Sequence, residues 1–575
     1  MNKNLDYRLA NCQKKEIKLR VRRHEILKSD SEKALDMLLG ADAPASLIQS
    51  FPEQDLYYLM HKIGACDFIP VLSLATSEQW EYLLDVEVWN NDRLNVGMMT
   101  TVFDLLFQAD PQRLLRWAIK EKPDFFEFYL YHHLEIRIRE HDDPPPSDYN
   151  DYMTLDDKFY FRFPDKPGLE PDEIAASSNS QDPRALIEKM LKRIAEMDLS
   201  VYHGLLLETC GLLPAEIEEE HFRLKNTRLG EKGFLPTHEA LGIYQPAALS
   251  QIRKRPEIRK DKIPTFDPDI PMPPQFFSQF IKGDDLFVNA LEYLDSDFLF
   301  RLESETAALI NKVISADKIK LRSKDDLEKA VFKTVAYINL GLEVILDGDL
   351  KPEDASTVIS QYFLEDIFKT GSMAGIKLKA KATQWYAKSY MNKASLPLSF
   401  LDETYMGVIG GLFLERPLYF DKSSPKDVYR DFKNLFEITH TDGQLQQIIA
   451  LDMLLGKINV DISTFKKGVL TYKTYLLTLW AKNRLNLSHN LEPIGLEPFK
   501  TFFTEFFNMA ENTTAYQIQL DDLLIFISDL TGFEEKKMTQ PMKKVMSELI
   551  EELALEYESV DSNDIDPRFI PHFLI

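Results

Sequence analysis

The sequence predicts a mainly α, multi-helical protein, built as a solenoid-like array of short helices with a small antiparallel β insertion near residues 134–163. Three observations carry this. Only 22 of 575 residues are glycine, about half the usual ~7%, so turns that need a left-handed residue are scarce. Between residues 42 and 130, capping signals are followed repeatedly by apolar residues at three- and four-residue spacing. The period drops to two in Leu134-Glu135-Ile136-Arg137-Ile138-Arg139 and again in Phe159-Tyr160-Phe161-Arg162-Phe163, the alternation of a half-buried strand.

The helices of the array open on recognisable caps. Ser50-Phe51-Pro52-Glu53 reads as a capping box with proline in the first turn, Thr76-Ser77-Glu78-Gln79 as a second, and Asp110-Pro111 as an aspartate cap followed by proline. Apolar stripes follow each: Leu56, Leu59 and Met60; Trp80, Leu83 and Leu84; Leu114, Leu115 and Ala118. Such units bury their apolar faces only by stacking on neighbours. The two period-2 runs flank Asp142-Asp143-Pro144-Pro145-Pro146-Ser147-Asp148, so they are expected to pair antiparallel across a long acidic loop.

Helix returns after Asp182-Pro183, with Leu186, Ile187, Met190, Leu191 and Ile194 on one stripe, and continues from Glu216 to Leu229, where Gly230 or Gly233 can supply a left-handed cap. A basic, proline-punctuated stretch at 251–274 reads as a linker. The expected organisation is therefore a basic arm at 1–30, a helical domain at 31–250 with the β insertion at 131–168, the linker, and a second helical domain at 275–575. Within the last, Asp366 to Tyr386 reads as one long helix.

Composition narrows the function. With 68 Lys+Arg against 92 Asp+Glu, the formal net charge is −24, which argues against binding duplex nucleic acid. Three cysteines, Cys12, Cys66 and Cys210, form neither a disulfide framework nor a metal clip. No apolar run approaches the ~20 residues of a membrane span, and the first thirty residues contain no apolar secretory core. A cytoplasmic protein is expected. The segment from Lys14 to Lys28 is locally basic, with Ile17, Leu19, Val21 and Leu27 as a ragged apolar stripe; it reads either as a helix that docks on an acidic partner or as an arm packed on its own acidic body.

Two Glu-x-x-His spacings, Glu218 with His221 and Glu437 with His440, match the ligand spacing of di-iron-like carboxylate sites, because residues three apart share a helix face. With 11 histidines in the chain, such spacings also arise by chance. His132, His133, Glu135 and His141 form the densest histidine cluster, without the fourth ligand of a tetrahedral set. No phosphate-cradling glycine loop and no nucleophile elbow occurs: Gly407-Val408-Ile409-Gly410-Gly411 lies in an apolar helix-like run, and Gly371-Ser372-Met373-Ala374-Gly375 lacks the central serine. Glu219, Arg223, Arg228 and Glu239 form a further group, readable as ion pairs along a helix or as a small-anion ligand site.

That last stretch also carries a resemblance. Glu216-Ile217-Glu218-Glu219-Glu220, Arg223, Arg228-Leu229, Gly233-Phe234, Glu239-Ala240 and Tyr244 resemble the signature of an uncharacterised bacterial family of unknown function. The likeness extends to FPEQDLYYLMHKIG from Phe51, to Leu340-Gly341-Leu342-Glu343, to Leu364-Glu365-Asp366-Ile367-Phe368 with Gly371, and to Asp566-Pro567-Arg568-Phe569. It implies a helical fold and brings no activity, cofactor or partner; its pattern has a small apolar residue at the position of His221. Residues 42–130 also faintly resemble the helical N-terminal domain of magnesium transporters. The reading that results is a cytoplasmic helical binding protein, a scaffold or regulatory adaptor with a protein partner and no cofactor. The alternatives are a metal-dependent enzyme using Glu218, His221, Glu437 and His440, and a small-anion-binding regulator using Arg223 and Arg228.

Overall fold

The first nine helices are α1 (Asn2–Lys28), α2 (Ser31–Leu39), α3 (Pro44–Gln49), α4 (Glu53–Ile63), α5 (Ile69–Leu74), α6 (Ser77–Glu87), α7 (Val96–Ala109), α8 (Pro111–Lys120) and α9 (Pro123–His133). The structure is a computed structural model. It describes residues 2–139, 149, 151–164, 182–245, 252–256, 274–281, 283–319, 324–424, 428–460, 470–507, 513–532, 538–557, 560 and 565–575, excluding the side chains of 2–14, 296–297, 507 and 513–517. The acidic loop at Asp142–Asp148, His141 and most of 251–274 lie outside the described residues.

Cap chemistry explains where several of these helices start. The Thr76 hydroxyl accepts the Gln79 N–H at 3.2 Å while the Gln79 side-chain oxygen accepts the Thr76 N–H at 2.8 Å, completing the capping box of α6. Asp110 accepts the Arg113 N–H at 3.0 Å ahead of Pro111. Ser50 departs from expectation. Its hydroxyl donates back to the Leu47 carbonyl at 2.6 Å, closing α3, and α4 opens on Pro52 with no side-chain cap. Proline already lacks the N–H that a cap would otherwise have to satisfy at its own position.

The described chain divides into two compact units, one of Met1–Ile243, Lys254–Val335 and Lys351–Glu365, the other of Tyr244–Arg253, Ala336–Leu350 and Asp366–Ile575. In the first, packing follows chain order: α2 on α3, α4 and α5, α4 on α6, α5 and α6 on α7, and α7 on α8 and α9. This is the neighbour-on-neighbour stacking of a helical array. Aromatic rings fill its core. Trp80 meets Trp117 edge-on at 6.0 Å and donates its indole N–H to the Leu72 carbonyl at 2.9 Å; Phe103 packs on Phe125, Phe126 and Tyr129. The basic α1 packs back onto this unit: Arg20 forks onto Glu303 at 2.7 and 2.9 Å, and the fully buried Arg23 donates to Glu16 at 2.6 Å and to the Ser50 carbonyl at 3.1 Å.

The β insertion is present with one strand more than the periodicity shows. After the hairpin of β1 (Trp89–Asn90) and β2 (Arg93–Leu94), strand β3 (Glu135–Ile138) pairs antiparallel with β5 (Phe159–Arg162), Glu135 opposite Arg162 and Ile138 opposite Phe159. The short β4 (Met153–Thr154) adds on the other side of β5. Two residues are too few to display a period. The Glu135–Arg162 register is reinforced by charge-assisted hydrogen bonds of 2.6 and 2.8 Å, and Tyr152 donates to the same carboxylate.

In the second unit, glycines let two backbones meet. A Cβ on Gly341, in the helix Lys324–Leu346, would fall 2.0 Å from the Ile367 carbonyl oxygen; one on Gly371, in the helix Leu364–Lys388, would fall 2.1 Å from that of Tyr337. The expected long helix over Asp366 to Tyr386 is thus present, extended at both ends. The glycine run Gly407 to Gly411 lies in the helix Glu403–Phe413, where Gly407 and Gly411 leave room for Phe420 and the Leu418 carbonyl. Among the described residues no helix is long and apolar enough to cross a membrane.

Candidate functional site

The helix Pro214–Glu231 carries most of the residues that sequence reasoning singled out, and its geometry separates them. Arg223 is exposed and forks onto Glu220 at 2.7 and 3.1 Å. Glu219 is exposed, and Glu239 is exposed beside His238. Arg228 differs from Arg223 in turning inward, where its guanidinium holds Asp85 of α6 bidentately at 2.7 and 2.8 Å and stands 3.3 Å from Glu81. The helix stops in a Schellman turn: Gly233 has φ +88°, its N–H donates to the Gly230 carbonyl at 2.9 Å, and the Phe234 N–H reaches the Leu229 carbonyl at 3.0 Å. Gly233 is therefore the left-handed residue of the two candidates.

The proposed metal ligands have other partners. Glu218 accepts the Leu94 N–H at 2.9 Å; His221 is buried edge-on to Phe125, and burial lowers its proton affinity. Glu437, buried, accepts Arg430 at 2.7 and 3.0 Å and the Lys433 N–H at 2.8 Å. His440 is exposed and stacks on Phe436. The two pairs belong to different units. Among the described residues no group of three or more His, Cys, Asp or Glu side chains is placed to hold a metal ion. Of the histidine cluster, His132 bonds the Phe128 carbonyl and Glu135 is taken by Arg162 and Tyr152. His133 is buried, its imidazole pushed down to about 4 by that burial and then by His132.

Around Arg228 the charges cancel. A shallow recess is lined by Glu81, Asp85, Lys122, His221 and Arg228 among others, and Lys122 pairs with Glu81 as Arg228 does with Asp85. Burial raises the Asp85 carboxyl against the pull of Arg228. Lys225, one turn earlier on the helix, lies 4.5 Å over the Trp89 ring and is lowered to about 8 by burial.

A second recess in the same unit has a different character. One face of α4 builds a wall of it, because Gln54, Tyr57, Tyr58, His61 and Lys62 recur at the three- and four-residue spacing of a single helix face. Asp55, fully buried on the same helix, accepts the N–H groups of Gln275 at 2.9 and 3.0 Å and Phe276 at 2.9 Å, which docks the 3-10 turn Phe276–Gln279. Burial drives that carboxyl up to about 7, opposed by those N–H groups. Phe276 lies flat on Tyr58, and Tyr82 meets Tyr57 edge-on at 5.8 Å. Glu87 accepts the Tyr57 hydroxyl at 2.7 Å and stands 3.0 Å from His61 Nε2. Lys62 donates to the carbonyls of Leu27, at 2.6 Å, and Ser29.

Two lining residues have buried polar atoms without a partner, Gln54 Nε2 and Tyr58 Oη. The Gln54 amide faces the Tyr82 hydroxyl and Tyr58 faces Gln279, but neither contact reaches hydrogen-bond geometry. Native interiors rarely leave such groups unpaired, and those that remain mark strain, water or a ligand. Sequence reasoning missed this site. The signal was present in the polar and aromatic face from Gln54 to Lys62, but the stripe Leu56, Leu59 and Met60 on the same helix had been sufficient to explain it.

The model of a family of unknown function, DUF6178, matches residues 11–575. The chain belongs to this family. Both recesses and the interlocked Gly341 and Gly371 fall inside the stretch matched to DUF6178. Comparison of this DUF6178 member with curated proteins and with solved structures gives no match.

Proposed function

We propose that the chain is a helical binding protein of the regulatory-adaptor kind, and that its small-ligand seat is the aromatic recess beside α4. One observation carries this reading: an aromatic-walled recess in which Gln54 and Tyr58 keep buried polar atoms unpaired. Small-molecule sites share part of this makeup, mostly apolar walls with a few placed polar groups. The reading shifts the small-ligand role away from Arg223 and Arg228, whose charges are met by Glu220 and Asp85. A cytoplasmic location is favoured by the exposed free thiols of Cys66 and Cys210, which suit a reducing compartment. The stacked array α2 to α9 favours a protein partner as well, since such arrays present extended contact faces.

Saturation-transfer NMR of the full chain with a library of ring-bearing fragments tests the seat. Hits are expected whose signal disappears in Leu327→Trp, which fills the recess, and weakens in Gln54→Leu. Circular dichroism verifies that each variant is folded. Hits indifferent to both substitutions, or no hits at millimolar fragment, would overturn the reading.

A further inference from the structure

We infer that the chain self-associates through its first helix: the outward face of α1 on one copy docks on the outward face of the helix Thr513–Thr531 on a second copy. Neither recess takes part. The two sides of α1 differ. Arg20, Arg23, Ile26 and Leu27 turn toward their own unit, where Glu303, Glu16 and the Ser50 carbonyl meet the two arginines. On the opposite side Ile17 and Val21, one turn apart, are 63% and 55% exposed, and Lys18, Arg22 and Lys28 are exposed around them. Glu25 on this side is taken by Arg22, whereas Lys18 and Lys28 make no ion pair among the described residues.

The helix Thr513–Thr531 carries the matching face. Ile518 and Ile525, each 54% exposed, share one side with the exposed Asp521 and Asp529, since residues three, seven and eleven apart fall on a common helix face. This helix contains no lysine or arginine. Its two isoleucines are two turns apart, about 10 Å, so Ile17 and Val21 can seat between them as one ridge while Lys18 and Arg22 reach the aspartates.

Charge decides the occupant. At a net −24, two copies repel over most of their surfaces, and contact is favoured where the signs differ. The outward side of α1 is such a place: His24 is held below its ordinary value by burial first and then by the Lys28 and Arg20 charges. The acidic face that complements it belongs to the same chain, so the two are always present in equal amounts.

Sedimentation of the full chain from about 5 to about 300 µM, a range suited to a small interface, tests the pairing. The natural chain is expected to pass from monomer toward dimer across it. Lys18→Glu and Asp529→Lys each set like charge against like and should weaken association about tenfold or more. Both positions are exposed, and circular dichroism verifies the fold of each variant. An equimolar mixture of the two variants should dimerise again, because each altered face meets an opposite charge on the other variant and the unaltered faces keep the natural pairing. A natural chain that stays monomeric throughout would overturn a second copy as the occupant of α1. Dimers indifferent to both substitutions, or variants that remain apart when mixed, would overturn the pairing of these two faces.

Discussion

The Asp55 carboxylate accepts the main-chain N–H of Phe276 at 2.9 Å, and so sets the ring that lies on Tyr58. The carboxylate is fully buried and also holds the Gln275 N–H. Replacing it with alanine leaves both N–H groups without an acceptor, a loss of roughly 1–3 kcal/mol each in a buried setting. Asp55→Ala is therefore expected to lower stability by about 2–6 kcal/mol and to speed amide hydrogen exchange at 275 and 276 selectively. Asp55→Asn, which keeps one acceptor oxygen, should do less. Unchanged exchange at those two amides in Asp55→Ala would show that the turn is held by ring packing alone.

Arg228 and Arg223 sit on one helix and should respond oppositely to removal. Arg228→Met strands Asp85, 7% exposed, without its bidentate partner; breaking a buried pair from one side costs about 3–5 kcal/mol. Adding Asp85→Leu should restore much of that loss, because the stranded charge is then gone. Arg223→Met breaks an exposed pair with Glu220 and is expected to change stability by well under ~1 kcal/mol. Thermal unfolding of the four proteins checks the order, and equal losses from the two single arginine changes would contradict it.

The contrast shows what the sequence could reveal. Thr76 and Gln79, or Glu135 and Arg162, are recognisable because a cap needs only four residues and a strand pair only matching periods. Arg223 and Arg228 look alike in sequence, yet five residues of helix turn them to different faces. The partner that decides the role of Arg228 is Asp85, in a helix that the local pattern cannot connect to it. The recess was hidden for the same reason. Its α4 face is local, but Phe234, Phe276, Asn311 and Lys324 come from distant segments. Ser50 misled because a serine that closes one helix and a serine that opens the next look the same until the backbone is placed.

Gly341 is a test of how tightly the second unit is built. Alanine there puts a methyl 2.0 Å from the Ile367 carbonyl oxygen, well inside van der Waals contact with a helix backbone, which shifts less easily than a side chain. Overpacking of this sort costs about 1–3 kcal/mol and sometimes more, against a gain of at most ~1 kcal/mol in helix propensity. Gly341→Ala and Gly371→Ala are each expected to lower the melting temperature clearly, whereas Gly443→Ala, where a Cβ meets nothing within 4 Å, should leave it unchanged or raise it slightly. A stabilised Gly341→Ala would mean that the two helices do not approach so closely.

Glu552 gives the second unit an acid-sensitive tie. Its carboxylate accepts from His572 at 3.1 Å and from Lys473, and His572 in turn bonds the Tyr557 hydroxyl at 2.8 Å. The His572 bond first, and Lys473 after it, hold the carboxyl down to about 2, below its ordinary 4.5. A carboxyl depressed in the folded state binds protons more readily when unfolded, so its stabilisation is full above its ordinary value and fades as pH falls toward about 2. Glu552 is 42% exposed, and solvent screening reduces the contribution to roughly 1 kcal/mol. Glu552→Gln should therefore melt a few degrees below the natural chain at pH 6–7, with the gap narrowing steadily from pH 5 to pH 3 while other carboxylates, common to both proteins, titrate in parallel. A gap constant across that range would assign the effect to packing of the C-terminal segment, with no part played by the charge on Glu552.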